Sequence, residues 1–170
     1  MRRWFESAFP EWTLPSSLVL KTQKKGWEDE FEVEKATYAK LKPLQGIVIP
    51  KLYGQVSYDK TRSLLLSDVG GVNLSTPAGS LLELSEFRRL LRQALTAIAQ
   101  FGVEHGDQKL DNYHLVDGKI MVVDFEVVNN EPRSEEQLKL TVESGEDWLA
   151  DWYDRNRYYM LETGQLSIPA

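Results

Sequence analysis

The side chains best suited to chemistry lie in two short segments in the second half of the chain. Asp107, Lys109 and Asn112 belong to the segment HGDQKLDN, and Asp124 opens the segment DFE. Phosphoryl transfer requires little covalent chemistry from a protein; it requires a positioned nucleophile and held magnesium ions. Carboxylate, ammonium and amide groups at this spacing are of the types that such a site uses.

The sequence between the two segments indicates how they meet. Asp117-Gly118 separates two β-prone runs, and this dipeptide favours the type I′ turn of a tight hairpin. Counting outward from the turn pairs Val116 with Lys119 and sets Asn112 opposite Val123. Asn112 and Asp124 then emerge together at the open end of the hairpin, where they could share a magnesium ion. The alternative is a hairpin whose polar ends only face water.

From about Leu18 to Glu126 the chain resembles the protein-kinase-like superfamily. Its HGDQKLDN segment matches the catalytic loop HRDxKxxN except at Gly106, and DFE matches DFG except at Glu126. The resemblance implies that Asp107 is the catalytic base and that Lys109 is a cation near the γ-phosphate. It also implies that Asn112 and Asp124 are magnesium ligands, and that ATP and Mg²⁺ are the cofactors.

A lysine and a glutamate nearer the N-terminus extend this site. Lys21 ends the apolar run Leu18–Lys21, and the resemblance implies that it holds the α- and β-phosphates. A helix is predicted over about 27–41, and on its apolar face lies Glu34. A carboxylate on a buried face needs a partner, and the resemblance implies that Lys21 is the partner of Glu34, with Glu30 as the alternative to Glu34. Lys24 and Lys25 are expected to be exposed.

The fold class is predicted as α+β, in a truncated two-lobed kinase-like arrangement. Residues 1–67 form a small lobe with an antiparallel sheet and one helix, in which 47–50, 52–57 and 63–66 are extended and Asp59-Lys60 turns a hairpin. The resemblance implies that residues 68–73, with two glycines, form the hinge and that residues 74–170 form a reduced helical lobe. The resemblance implies that Leu66, Ser67 and Asp68 meet the nucleotide.

Several departures from the superfamily pattern are informative. The first glycine is Gly26, so an aromatic segment, residues 1–16, replaces the glycine-rich loop that would wrap the phosphates. Gly106 stands where protein kinases keep an arginine, which argues against regulation by an activation-loop phosphate. The HGD and DFE variants are similar to small-molecule kinases of the aminoglycoside and choline type and to atypical kinases. The whole pattern is similar to short stand-alone kinase-like proteins of fungal type.

The C-terminal half is predicted to be helical. A helix is expected over Glu86–Gln100, with Ser85 as its N-cap and Gly102 just after its end. Two more are expected over Ser134–Val142 and Glu146–Tyr159, followed by a loose tail, residues 165–170. The aromatic residues of the last helix are expected to cap the core; the alternative is an exposed patch that binds a protein partner.

Composition limits the remaining possibilities. The net charge of −6 and the pI near 5.0 argue against a nucleic-acid partner. Cysteine is absent, which excludes disulfides, thiol catalysis and cysteine zinc sites. The sequence shows neither a signal-peptide pattern nor a stretch that could span a membrane, so we expect a cytoplasmic protein, with the nucleus as the alternative.

Three functions remain open from the sequence. The first is an ATP- and magnesium-dependent phosphotransferase acting on an unidentified protein or small-molecule acceptor. The second is a kinase-like binding or regulatory module with slow or absent turnover, which the missing glycine-rich loop and short helical lobe favour. The third is a metal-dependent hydrolase using His105, Asp107, His114 and Asp124.

Overall fold

The chain has an α+β fold in which antiparallel strands alternate with helices. The computed structural model describes residues 14–131 and 133–167. The predicted N-terminal aromatic segment lies almost wholly outside the described residues. Within them, no helix combines the length and apolar character needed to cross a bilayer.

The first sheet contains three antiparallel strands in the order β1-β3-β2: β1 (Leu18–Thr22), β2 (Leu52–Tyr58) and β3 (Thr61–Ser67). Asp59 and Lys60 form the β2–β3 turn with positive φ angles of 45° and 61°, which confirms the predicted hairpin. The helix α1 (Glu28–Lys40) follows β1 and confirms the predicted helix. Its buried face is formed by Phe31, Glu34, Thr37 and Tyr38.

Residues 47–50 do not form the predicted extended segment. They follow a short 3₁₀ helix, Lys42–Leu44, and make a turn in which the Gly46 amide donates to the Ile49 carbonyl at 2.7 Å. Ile49 is fully buried, and the carbonyl of Val48 accepts a hydrogen bond from the Val122 amide at 2.8 Å. The apolar run is therefore explained by burial in a turn rather than by a strand.

A second antiparallel sheet carries the predicted Asp117-Gly118 hairpin. It contains β4 (Val72–Asn73), β6 (Tyr113–Val116) and β7 (Lys119–Val122) in the order β4-β6-β7, while β5 (Glu104–His105) pairs separately with β8 (Val128–Asn129). Gly70 and Gly71, at the entry to β4, both have positive φ. At Gly71 a Cβ atom would overlap the Leu115 carbonyl oxygen, so glycine is required there by close backbone approach.

The helix α2 (Leu84–Ala99) begins earlier than predicted. The Glu83 carbonyl accepts the first helical hydrogen bond, from the Phe87 amide at 2.9 Å, so Glu83 rather than Ser85 is the N-cap residue. Gly102 follows the helix with a φ of 64°, as expected for a residue just beyond a helix end. The apolar stripe of α2 is buried: Phe87, Leu90, Leu91, Ala94, Leu95, Ile98 and Ala99.

One long helix, α3 (Glu135–Glu162), replaces the two helices predicted for the C-terminal region. Ser134 and Gln137 form a capping box at its start. Gly145 continues the helix instead of breaking it, and a Cβ atom there would lie 3.1 Å from Gln108 Nε2. The glycine thus permits close packing of α3 on the HGDQKLDN segment.

The aromatic residues of α3 divide between the core and the surface. Tyr153 is fully buried and stacks on Phe87 with ring centroids 4.1 Å apart. In contrast, Trp148, Trp152, Tyr158 and Tyr159 are exposed, so the expectation that the aromatic residues of this helix cap the core is wrong for four of the five. The predicted loose tail is anchored by Leu166, which is buried, and its residues 168–170 lie outside the described range.

Candidate active site

Strand β1 and helix α1 bring Lys21 and Glu34 into contact. Lys21 Nζ lies 2.9 Å from Glu34 Oε1 and 2.8 Å from Oε2, and only 1% of the Glu34 side chain is exposed. The helical spacing of the apolar positions places Glu34 on the buried face, towards the strand. The predicted pairing is confirmed, and Glu30, the alternative, does not make it.

Lys21 also contacts the second half of the chain. Its Nζ lies 2.6 Å from Asp124 Oδ1 and 3.4 Å from Glu126 Oε1, so one ammonium faces three carboxylates. Asp124 occupies the left-handed backbone region with a φ of 63°, a conformation that costs a non-glycine residue about 1–2 kcal/mol. The ion pair with Lys21 stabilises the Asp124 carboxylate in this backbone conformation.

The charges of this cluster alter the acidity of its members. Burial lowers the pKa of the Lys21 ammonium, but Glu34 and Asp124 outweigh this effect, and the net pKa is raised. Burial raises the pKa of Asp124, yet the hydrogen bond and charge of Lys21 outweigh burial and lower it overall. The ion pair therefore keeps the Asp124 carboxylate ionised, as a metal ligand must be.

The HGDQKLDN segment forms its own set of contacts. Lys109 Nζ lies 2.9 Å from Asp107 Oδ1. The side-chain amide of Asn112 donates to the Asp107 carbonyl at 2.8 Å and to its Oδ2 at 3.3 Å. Because the described hydrogen bonds of the Asn112 side chain use its nitrogen, the side-chain oxygen stays available as a ligand.

The hairpin joins these contacts to Asp124. Val116 pairs with Lys119, and the Val123 amide donates to the Asn112 carbonyl at 2.9 Å, as the sequence predicts. Asp117 and Gly118 have φ angles of 48° and 74°, which fit the expected type I′ turn. Asn112 and Asp124 consequently lie at the same, open end of the hairpin, one before β6 and the other after β7.

Lys24 and Glu126 belong to this site, although the sequence motifs do not assign them a role in it. Lys24 Nζ lies 2.6 Å from Glu126 Oε2, which links the segment after β1 to the segment after β7. Among the described residues, carboxylates of Glu34, Asp124 and Glu126 lie within 4.8 Å of one another. The sequence signal that could have identified this contact is charge complementarity. Glu126 is acidic where the DFG motif has glycine, and Lys24 lies three residues after Lys21.

A cavity of about 270 Å³ adjoins the Lys21 cluster. Its lining brings the predicted nucleotide residues Leu66, Ser67 and Asp68 together with the Lys21, Glu34 and Asp124 side chains. Asp68 Oδ2 accepts a hydrogen bond from Ser17 at 2.7 Å, and this bond lowers the pKa of Asp68. The volume is close to the lower end of the range for small-molecule pockets, roughly 300–1,000 Å³.

A second, larger groove of about 730 Å³ adjoins the HGDQKLDN segment. Asp107, Lys109 and Asp111 line one side, and Trp148 and Trp152 of α3 line the other. Asp107 is thus open to one cavity, while Asp124 is open to the other. Asn112 connects them through its bonds to Asp107 and Val123.

The two histidines do not assemble the alternative hydrolase site. His105 is buried, its Nε2 lies 3.0 Å from the Val123 carbonyl, and burial lowers its pKa. His114 instead contacts the Gly70 carbonyl and the Asn73 amide, at 3.3 Å and 3.2 Å. Among the described residues, the set close enough to share an ion contains neither histidine.

Comparison with known proteins yields a partial match. No family model matches the chain. The meiotic driver SPOK2 of Podospora anserina is 34% identical over 113 residues, which cover 59% of this chain and 14% of that protein. The similarity therefore concerns a small part of a much longer protein.

Proposed function

We propose that this chain is an ATP- and magnesium-dependent phosphotransferase with a truncated, two-lobed protein-kinase-like fold. The observation that carries the proposal is the position of Lys21, whose ammonium lies between Glu34 and Asp124 beside a cavity lined by Leu66, Ser67 and Asp68. The buried Glu34 carboxylate fixes the position of the Lys21 ammonium, and this ammonium is the cation that would contact the phosphates of a nucleotide.

The donor set fits a magnesium ion. Asn112 offers an amide oxygen and Asp124 a carboxylate held ionised, and hard cations of this kind prefer oxygen ligands. Magnesium, when bound, would neutralise charge on the phosphate oxygens. The Lys21 contact occupies one oxygen of Asp124, so the second oxygen is the one available to the metal.

Asp107 is assigned the role of base. It accepts the proton of the acceptor hydroxyl while that oxygen bonds the terminal phosphorus of ATP, and the bond from this phosphorus to the departing ADP breaks. Asn112 holds the backbone and carboxylate of Asp107 in place. Lys109, which lies beside Asp107, supplies positive charge near the transferred group.

A kinase-like binding or regulatory module with little turnover is the second candidate. It is supported by the small volume of the nucleotide-side cavity and by the engagement of Asp124 with Lys21. Under either proposal the cytoplasm is the expected compartment, with the nucleus as the alternative.

An ATP-consumption assay on the purified chain distinguishes the two candidates. With magnesium present, we expect ATP hydrolysis or transfer that falls by two orders of magnitude or more in Asp107→Ala, in line with the roughly 10²–10⁴-fold contribution of a general base. Stabilisation by ATP and magnesium without consumption would favour the module. Absence of both would exclude phosphotransfer and nucleotide sensing.

A further inference from the structure

The Glu126 carboxylate bridges two lysines beside the nucleotide-side cavity. Its Oε1 lies 3.4 Å from Lys21 Nζ, and its Oε2 lies 2.6 Å from Lys24 Nζ. Ammonium groups form strong, charge-assisted hydrogen bonds to the oxygens of carboxylates and phosphates alike. Lys21 and Lys24 therefore form a receptor for an anion with two or more oxygens, and the Glu126 side chain fills this receptor.

A tight turn after β1 sets the position of Lys24. The Trp27 amide donates to the Lys24 carbonyl at 3.1 Å, and Gly26, the third residue of the turn, has a φ of 79°. A positive φ at this place is what a type II β-turn requires. The Lys24 ammonium lies 4.4 Å from the centre of the Trp27 ring, whose face attracts a cation. The turn and the indole thus hold Lys24 close to Lys21.

The charge of this cluster is negative while Glu126 is part of it. Two ammonium groups, those of Lys21 and Lys24, face three carboxylates. The carboxylates belong to Glu34, Asp124 and Glu126. When all five groups are ionised the net charge is −1, which repels an incoming anion. Withdrawal of Glu126 would leave the cluster neutral and would free both ammonium groups on one side.

Glu126 is held less firmly than Glu34, the other glutamate of the cluster. Only 1% of the Glu34 side chain is exposed, and its Oε1 also accepts a hydrogen bond from the Phe125 amide at 3.2 Å. Among the described residues, the Glu126 carboxylate makes polar contacts with the two lysines alone. A rotation of the Glu126 side chain is therefore enough to open the receptor.

We infer that Glu126 holds the place of the terminal phosphates of a nucleotide, and that Lys21 and Lys24 together bind those phosphates once Glu126 is displaced. The inference rests on the proposed function, since it concerns the nucleotide side of that site. Lys21 lines the cavity and Lys24 does not, so the phosphate chain extends from Lys21 outwards to Lys24. Lys24 then favours nucleotides with a long phosphate chain, and Glu126 lowers the affinity for all of them.

Calorimetric titration of the full chain with ATP, adenosine and inorganic tripolyphosphate tests the role of Glu126. With divalent ions removed by a chelator, Glu126→Gln should bind ATP and tripolyphosphate about ten-fold more tightly than the unaltered chain does. Adenosine, which has no phosphate, should bind both chains equally, and this also shows that the variant is folded. An unchanged or weaker affinity for the two phosphate compounds would overturn the inference.

The same titration with magnesium tests the alternative that Glu126 is a metal ligand. One oxygen each of Glu34, Asp124 and Glu126 lie within 4.8 Å of one another, although the Lys21 ammonium contacts all three side chains. A metal ligand would make Glu126→Gln weaken ATP binding in the presence of magnesium. That result would overturn the inference, whereas tighter binding with and without magnesium would support it.

Lys24→Gln made in the Glu126→Gln background shows whether Lys24 binds phosphate or only holds Glu126. We expect this double variant to bind ATP and tripolyphosphate about five-fold more weakly than Glu126→Gln, a modest factor because the Lys24 side chain is 53% exposed. Lys25→Gln in the same background is the matched control, since Lys25 is an exposed lysine next to Lys24, and it should leave both affinities unchanged. Equal affinities in Glu126→Gln and the double variant would overturn the assignment of Lys24.

This inference and the proposed function can fail separately. ATP consumption by the unaltered chain, with the same ATP affinity in Glu126→Gln, would remove the inference and leave the proposed function intact. Tighter binding of tripolyphosphate by Glu126→Gln, in a chain that neither binds nor consumes ATP, would leave an anion receptor and remove the nucleotide site. Absence of tripolyphosphate binding in both chains would overturn the receptor itself.

Discussion

Lys21 Nζ lies 2.6 Å from Asp124 Oδ1, although 103 residues separate the two in sequence. The contact joins the first sheet to the end of the β6–β7 hairpin. The same ammonium contacts the buried Glu34 carboxylate, so a single lysine links three segments of the chain. Changes to any member of this cluster should affect both ligand binding and folding.

Replacing Asp124 with asparagine should abolish magnesium-dependent binding of ATP. The amide is a neutral and weaker ligand for a hard cation than the carboxylate. Thermal unfolding with ATP, with and without magnesium, measures the effect: the increase in Tm caused by magnesium should disappear in the variant. Asp154→Asn, an exposed carboxylate of α3 outside both cavities, should keep it. An unchanged magnesium effect in Asp124→Asn would contradict the assigned ligand.

Lys21→Met should destabilise the fold in a pH-dependent manner. Burial raises the pKa of Glu34, and the ammonium of Lys21 opposes that rise, so removing the ammonium raises the pKa further. A group whose folded pKa is raised disfavours folding when it is ionised. The loss should therefore be greatest above the raised pKa and should shrink as pH falls towards the ordinary value of 4.5.

The free energy of unfolding from urea titrations checks this expectation. We expect a loss of about 3 kcal/mol near neutral pH, because breaking a buried ion pair leaves an uncompensated charge. The loss should be clearly smaller near pH 5. Lys25→Met, at an exposed position, serves as the control and should change stability little at either pH. An equal loss at both pH values would show that Glu34 does not titrate in the variant.

Sequence signals predicted those parts of the site that depend on interactions between residues close together in the chain. The Asp117-Gly118 turn follows from backbone preference, and the burial of Glu34 follows from helical periodicity. The Lys24–Glu126 contact depends on the packing of distant segments, which periodicity does not report. The continuity of α3 was missed for a related reason: Gly145 lies within the helix and approaches Gln108 of a distant segment, a contact that periodicity does not report either.

Adjacent glycines before β4 should differ sharply in their tolerance of alanine. Both have positive φ, so each alanine variant incurs backbone strain of about 1–2 kcal/mol. At Gly70 the space around a Cβ atom is free, whereas at Gly71 it overlaps the Leu115 carbonyl oxygen. Gly71→Ala should therefore reduce the free energy of unfolding by at least about 2 kcal/mol more than Gly70→Ala does. Similar losses would mean that β4 does not approach β6 this closely.

Glu146 should be the anchor that fixes α3 to α2. Only 2% of its side chain is exposed, and its carboxylate oxygens lie 2.5 Å from Arg92 Nε and 3.2 Å from Arg88 Nη1. Each arginine is partly exposed and the other one remains in place, so Arg88→Ala or Arg92→Ala alone should lower stability only slightly. The double variant leaves a buried carboxylate without a cation and should lower the free energy of unfolding by about 3 kcal/mol or more.

Urea unfolding of the four proteins in a double-mutant cycle measures whether the two losses add, with Arg89→Ala, on an exposed position of α2, as control. Additive losses would show that the two arginines act independently and that Glu146 does not depend on them jointly.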